Sequence, residues 1–222
     1  VTSRNGDRLA WIVAIPFLRG GDLPPSPDAD GTALAAAMTG IYREAVALAE
    51  VHRRPGEPII AMGHLSIVNG TLSPESERRI LAGTQQGLPV DAFDDRVAYV
   101  ALGHLHRAQA HGTGGRVRYS GSPIPYSFSE AHPKSIRVVD LAPDGTVTAR
   151  TVAIPMGRPV VVLTDTMENL LNDAKYDKYT DHWVSVKLED REIQAEPKQR
   201  LAKRFPFVAP VTYVRLAGAA SV

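Results

Sequence analysis

The sequence predicts an α/β fold followed by a smaller α+β domain. Three short apolar runs have the length of strands, at 9–15, 58–62 and 97–102, and a long segment with helical spacing of its apolar residues lies between the first two. Strand, helix and strand in that order are typical of a layered domain in which helices cover a largely parallel sheet. Beyond about Ile154 the strands alternate between apolar and polar residues, as in sheets with one exposed face.

The first half of the chain supplies the predicted sheet and its helix. The run 9–15 stops at Pro16 and leads into a loop rich in Pro, Gly and Asp. A helix is predicted from Thr32 to about Arg53, because apolar residues recur there at spacings of three and four, namely at Leu34, Met38, Ile41, Ala45 and Leu48. The second and third strands, 58–62 and 97–102, are uninterrupted apolar runs and are predicted to be buried.

A hairpin and a second domain are predicted in the other half. Strands 136–141 and 146–152 flank the turn residues Pro143-Asp144-Gly145, a pattern typical of a β-hairpin. The boundary between domains is predicted near Pro155-Met156-Gly157. The second domain is expected to contain strands at 160–163, 183–188 and 211–216, with helices starting at Thr166 and Ala195.

Composition excludes several classes of site. The chain of 222 residues has no cysteine, which excludes disulfides, thiolate metal sites and cysteine nucleophiles within it. No apolar run approaches the roughly 20 residues of a membrane span, and a cytoplasmic protein without membrane contact is expected. Lys and Arg number 25 against 24 Asp and Glu, so attraction to nucleic acid must come from a local patch or a bound metal.

Three histidines follow predicted buried strands through a glycine. Gly63-His64 ends the second strand, and Gly103-His104-Leu105-His106 ends the third. Parallel neighbouring strands place their carboxyl ends at one edge of a sheet, where ligands bind in α/β proteins. The histidines are therefore candidate metal ligands. Each motif alone is also compatible with structural or surface histidines, and it is the convergence of three that favours a site.

Longer stretches around these motifs carry a specific resemblance. The glycine–histidine pairs are similar to the last two motifs of calcineurin-like metallophosphoesterases. The flanking segments resemble the SbcD-like nuclease family in order and spacing: SPESERR at 73–79, YVALGHLHR at 99–107, RYSGSPIP at 118–125, and SFSE at 127–130 with Lys134. The segment from Arg158 to Leu216 resembles the small capping domain of that family.

The resemblance implies a fold and a chemistry. Residues 1–155 would form the C-terminal half of a metallophosphoesterase (nuclease) sandwich. Residues 156–222 would form the capping domain, without the helices that follow it in the family. The family binds two divalent ions, usually Mn²⁺, and the resemblance implies that His64 and His104 ligate one ion and His106 the other. DNA contacts are implied for Arg118, Ser120 and Ser122.

The expected function is that of a nuclease subunit in DNA repair and recombination. The family hydrolyses DNA phosphodiesters as an ATP-dependent exonuclease and endonuclease, with an SbcC-like ATPase as partner and a possible homodimer within a heterotetramer. A phosphatase or cyclic-nucleotide phosphodiesterase is the less favoured enzyme, since the capping segment and RYSGSPIP argue against it.

The sequence departs from the family in its carboxylates. It contains no Asp-x-His, no Gly-Asp-x-x-Asp and no Asn-His motif, so the bridging carboxylate and the catalytic histidine of the family are missing from it. No catalytic residue is therefore assigned, and a fragment that is inactive by itself is expected. The alternative is a non-catalytic remnant that binds DNA or a partner. His111 is interpreted as part of a solvated hairpin tip at 111–115, and His132 as a residue of a solvent-exposed loop.

Overall fold

The computed structural model describes residues 1–23, 31–73, 87–155 and 157–214. Two parts of the sequence discussed above lie outside these residues. They are 74–79, in the SPESERR segment that resembles the nuclease family, and Arg215-Leu216, at the end of the last predicted strand. The described part contains a five-stranded sheet, a two-stranded hairpin and a three-stranded sheet. The predicted α/β class is confirmed.

The five-stranded sheet has the order β1-β2-β3-β5-β4. Its first four members in that order run parallel, and β4 is antiparallel to β5. The strands are β1 (Trp11–Ala14), β2 (Ile59–His64), β3 (Val97–Gly103), β4 (Gln109–His111) and β5 (Val117–Tyr119). The hairpin pairs β6 (Ser135–Leu141) with β7 (Val147–Ala153), as the Pro-Asp-Gly turn predicts.

One helix covers a face of this sheet. Helix α1 spans Gly31–His52. Its buried side chains recur at helical spacing and join the apolar side chains of the strands in one core, which includes Met38, Tyr42, Val46, Ala49, Ala61, Val100, Leu102, Val117 and Tyr119. Full burial of a large apolar side chain contributes about 1.5–3 kcal/mol, so this stripe is the main force that holds α1 in place.

The chain divides into two compact units, Val1–Pro123 with Pro133–Ile154, and Ile124–His132 with Pro155–Val222. Assignment of these units to a nuclease domain and a capping domain stays a prediction. The second unit also takes Ile124–His132, a stretch that a single boundary near residue 155 places in the first domain.

The second unit contains a parallel three-stranded sheet with the order β10-β9-β8. Its elements are β8 (Val160–Asp165), α2 (Met167–Asn172), β9 (Trp183–Leu188), α3 (Pro197–Ala202) and β10 (Val208–Tyr213). The Thr166 hydroxyl caps α2 by accepting a hydrogen bond from the Asn169 N–H at 3.3 Å, at the predicted helix start. Leu163, Leu170, Val186 and Phe205 lie in the core of this unit.

Short 3₁₀ helices occupy Gly20–Asp22, Val90–Ala92, Thr113–Gly115, Phe128–Glu130 and Ala174–Tyr179. None of the helices in the described part is both long and apolar enough to cross a membrane.

A buried carboxylate fixes the edge of the sheet where β2 begins. Glu57, 7% exposed, accepts hydrogen bonds from Arg8 Nε at 2.8 Å, from the Arg54 N–H at 3.0 Å and from Trp11 Nε1 at 3.0 Å. These donors come from the N-terminal segment, β1 and the connection that follows α1. The hydrogen bond from Arg8 and the one from the Arg54 backbone lower the pKa of Glu57 from 4.5 to about 2.

Protonation of Glu57 in acid should remove the stability that its hydrogen bonds contribute. Because the folded pKa lies below the ordinary value, the contribution of Glu57 to stability is complete above about pH 4.5 and is lost as the pH falls towards 2. We expect Glu57→Gln to lower the thermal midpoint at pH 7. The difference in midpoint between the variant and the parent chain should narrow as the pH falls from about 4.5 to about 2. Circular dichroism melts at a series of pH values measure both. Glu168→Gln, at an exposed site on α2, is the control, and a gap that does not depend on pH contradicts the prediction.

Candidate metal centre at the carboxyl edge of the sheet

Two of the predicted ligands lie side by side where β2 and β3 end. The parallel register pairs His64, the last residue of β2, with Gly103, and His104 follows directly. The ring centroids of His64 and His104 are 5.4 Å apart, with their planes at 69°. An imidazole nitrogen binds Zn²⁺ at about 2.1 Å, so two rings on one ion have centroids roughly 5 Å apart. The pair therefore has the spacing to share an ion.

The glycine before His104 makes this approach possible. A Cβ added to Gly103 would lie 2.8 Å from Nδ1 of His64, closer than real Cβ contacts. Any side chain at this position would displace the His64 ring. Gly103 is therefore required by the packing of the pair.

The glycine before His64 has a different neighbour. A Cβ on Gly63 would lie 1.8 Å from the hydroxyl oxygen of Tyr42, which α1 places against the strand end. Tyr42 is 1% exposed, and burial raises its pKa to about 12, so the hydroxyl stays protonated at neutral pH. Tyr42 thus supports the backbone that carries His64.

His104 has unusual backbone geometry. Its φ is +104°, in the region that favours glycine. Such a conformation costs about 1–3 kcal/mol in a residue with a side chain and persists only when its surroundings impose it. Strained residues of this kind cluster at functional sites.

His106 is held through its backbone. Its carbonyl accepts a hydrogen bond from the Ser122 N–H at 3.0 Å, and the Ser122 hydroxyl lies 3.4 Å from the same oxygen. A Cβ on Gly121, whose φ is +84°, would lie 2.7 Å from that carbonyl oxygen. The RYSGSPIP segment is therefore packed tightly on the loop of His104 and His106.

The geometry limits what this part of the chain can bind. In the described ranges, no three His, Asp or Glu side chains are grouped closely enough to hold one ion. His64 and His104 are brought together without His106 as a third ligand, and a separate ion at His106 stays a prediction. Two imidazoles can supply part of the ligand set of one ion. A two-ion Mn²⁺ centre also needs carboxylates, which the described residues do not bring to this edge.

The predicted DNA-binding residues occupy different environments. Arg118, in β5, and Ser120 are half-buried, whereas Ser122 is 5% exposed and its hydroxyl accepts a hydrogen bond from Lys134 Nζ at 2.7 Å. Burial raises the pKa of Tyr99 on β3, and the positive charge of Arg118 opposes that rise. Ser122 is positioned to support the histidine loop. Contact with DNA stays a prediction for all three residues.

A residue that sequence reasoning missed also reaches this edge. Phe17, in the segment after β1, makes an edge-to-face contact with His64 at a centroid distance of 5.7 Å, although its side chain is 44% exposed. Since β1 runs parallel to β2, its carboxyl end emerges beside His64. The position of Phe17 just after a strand parallel to β2 was the feature of the sequence that could have identified it.

Two histidines interpreted as solvated are not. His111 ends β4 and is half-buried, its Nε2 lies 2.9 Å from the Gln109 side-chain oxygen, and burial lowers its pKa. His132 is 8% exposed. Both sit among glycine and proline residues that are typical of loops, and tertiary packing overrides that local signal.

Comparison with known proteins gives a consistent match. No protein-family model matches the chain. The chain is 41% identical over 165 residues to the SbcD subunit of the nuclease SbcCD from Rhodobacter capsulatus, covering 72% of this chain and 39% of that protein. It is 36% identical over 167 residues to that of Escherichia coli K12, covering 72% and 41%. For Bacillus subtilis 168 the identity is 40% over 104 residues, covering 46% and 26%. The matched region thus spans well under half of each relative.

The contact between Gly63 and Tyr42 can be tested by paired substitutions. Gly63→Ala should destabilise the chain by about 1–3 kcal/mol, because a methyl group cannot fit beside the hydroxyl. Tyr42→Phe removes that oxygen and should restore part of the loss; the ring carbon that bears it lies 3.0 Å from where the added Cβ would stand and still crowds the site. Thermal unfolding measures both.

Gly40→Ala is the matched control. Gly40 lies in α1 with no atom within 4 Å of an added Cβ, so this change should be neutral or stabilising. Equal destabilisation by Gly63→Ala with and without Tyr42→Phe would show that the clash lies elsewhere.

Proposed function

This chain is a relative of the SbcD nuclease subunits, and on that premise we propose that it is part of a metal-dependent nuclease that hydrolyses DNA phosphodiesters. The observation that carries the proposal is the His64–His104 pair, which parallel strands and two tightly packed glycines place at the carboxyl edge of the sheet. The proposed setting is cytoplasmic DNA repair and recombination, as an exonuclease and endonuclease with an SbcC-like ATPase, within a heterotetramer that contains two copies of the nuclease subunit.

The proposed role of this chain is to supply imidazole ligands. Divalent ions, proposed to be Mn²⁺, would polarise the scissile phosphate and activate water. Within the chain, His64 and His104 would bind one ion, while Gly103 leaves room for the His64 ring and Tyr42 packs against Gly63, the residue before it. His106 is proposed as a ligand of the second ion.

We propose that the 222 residues do not cleave DNA by themselves. The sequence lacks the three motifs that bring carboxylates and the catalytic histidine in the family. Two cations about 3.5–4 Å apart repel each other strongly unless anionic ligands offset their charge. Loss of a general acid alone typically lowers a rate by about 10²–10⁴-fold.

The second candidate is a binding protein without catalysis. It is supported by the absence, among the described residues, of a group of three or more His, Asp or Glu side chains that could hold a metal ion. Binding of duplex DNA that weakens with salt, with no cleavage even after the missing motifs are supplied, would favour this candidate.

Metal binding can be measured without activity. We expect the chain to bind Zn²⁺ weakly in calorimetric titrations, because two neutral imidazoles are a partial ligand set. His64→Ala and His104→Ala should each lower the affinity at least about tenfold, the lower end of the loss seen even for outer-shell changes. His182→Ala, in the second unit, is the control, and an equal loss in that variant would contradict the proposed ligand pair.

Activity is tested by adding the missing motifs. The segment of the Rhodobacter capsulatus relative that precedes its matched region is fused ahead of Val1, and linear duplex DNA is digested with Mn²⁺. We expect the fusion to cleave, the 222-residue chain not to cleave, and His104→Ala or His106→Ala in the fusion to abolish cleavage.

The same fusion carrying His182→Ala should keep its activity. Metal-dependent cleavage by the 222-residue chain, lost on His104→Ala, would refute the proposal that the chemistry needs residues from outside this sequence.

A further inference from the structure

A lysine is buried beneath the histidine loop. Lys134, directly before β6, is 2% exposed. Burial of an ammonium group is costly unless polar partners replace its water, so lysine is rarely found fully buried. The Lys134 Nζ donates a hydrogen bond of 2.7 Å to the hydroxyl of Ser122, which is itself buried. The cost of this burial indicates a specific task.

The contact continues to the candidate metal centre. The N–H of Ser122 donates to the carbonyl of His106 at 3.0 Å, and its hydroxyl lies 3.4 Å from that oxygen. At the other end, the carbonyl of Lys134 accepts a hydrogen bond of 2.9 Å from the N–H of Ile154, just beyond β7. Lys134 is thus fixed to the hairpin by its backbone and to the histidine loop through Ser122.

The loop needs such support. His104 has a left-handed φ, which the chain does not adopt without restraint from its surroundings. Tyr42 and Gly103 act on the His64 side of the pair, and neither contacts the far end of the loop at His106 in the way that Ser122 does.

We propose that Lys134 is a positioning residue that fixes the loop of His104 and His106 by acting through Ser122. The expected effect of Lys134 on metal affinity rests on the proposed function. Its effect on the geometry of the loop is independent of that function. Lysine suits this task because its compact charge orients the hydroxyl of Ser122, and an oriented hydroxyl and amide restrict the carbonyl of His106.

The test compares Lys134→Met, Ser122→Ala and the double variant in the 222-residue chain. Lys187→Met, at an exposed site on β9, is the matched control. We expect each single variant to raise the hydrogen-exchange rate of the amide at position 122 by about tenfold. Each removes the hydrogen bond between Lys134 and the Ser122 hydroxyl, and a loss of that size is usual for one hydrogen bond. The imidazole NMR signals of His104 and His106 should shift, while those of His52 and His182 should not.

A general loss of stability is distinguished by the amide of Val100, which donates to Arg116 within the sheet. Its exchange should not change. For exchange of the amide at position 122, the double variant should be no worse than Ser122→Ala alone, because Lys134 cannot act on the loop through a hydroxyl that is missing. Additive effects, unchanged His104 and His106 signals, or equal acceleration at Val100 would overturn the proposal. If Lys134→Met does not fold, Ser122→Ala decides by the same measurements.

Titration with Zn²⁺ tests whether Lys134 also affects metal affinity. Lys134→Met should weaken binding by about 10–100-fold, the usual effect of losing an outer-shell partner. If the parent chain binds no Zn²⁺, the proposed metal site fails, while the exchange and NMR results still decide whether Lys134 positions the loop.

Discussion

The parallel pairing of β2 with β3, in the register that sets His64 opposite Gly103, is the constraint on which the site depends. It brings His64 and His104, which are far apart in the sequence, to one edge and fixes the distance between their rings. A shift of one residue would turn His64 to the other face of the sheet. The register is set by apolar side chains that pack under α1, so the core determines the position of the two histidines.

The two edges of this sheet are stabilised by different means. At the edge where β2 begins, Glu57 gathers three donors, and charge and hydrogen bonding fix the chain. At the edge where β2 ends, close steric contacts act instead: Tyr42 against Gly63, His64 against Gly103, and the His106 carbonyl against Gly121. Steric contacts of this kind fix the backbone around the histidines without adding charge to that edge.

Much of the fold was predictable from periodicity. The apolar runs located β1, β2 and β3, the Pro-Asp-Gly turn located the β6–β7 hairpin, and Thr166 located the start of α2. The glycine-rich tip at 111–115 indicated the β4–β5 hairpin, but the bounds of these strands were not predicted, since three residues are too few to show a period. The histidine pair followed from its position after strands, but Tyr42, Phe17 and Lys134 did not. Their roles arise from contacts between distant segments, and no local pattern distinguishes a tyrosine that faces a glycine from any other core tyrosine.

The left-handed backbone of His104 sets stability against the proposed ligand role at a single residue. Glycine would relieve the strain at that position, as would asparagine in part, and either would make the folded state more favourable. Selection for heat resistance would therefore favour loss of this imidazole, and a stabilised descendant could keep the fold while losing the pair. Thermostability alone is a poor guide when engineering this chain, and position 104 should be held constant in any such library.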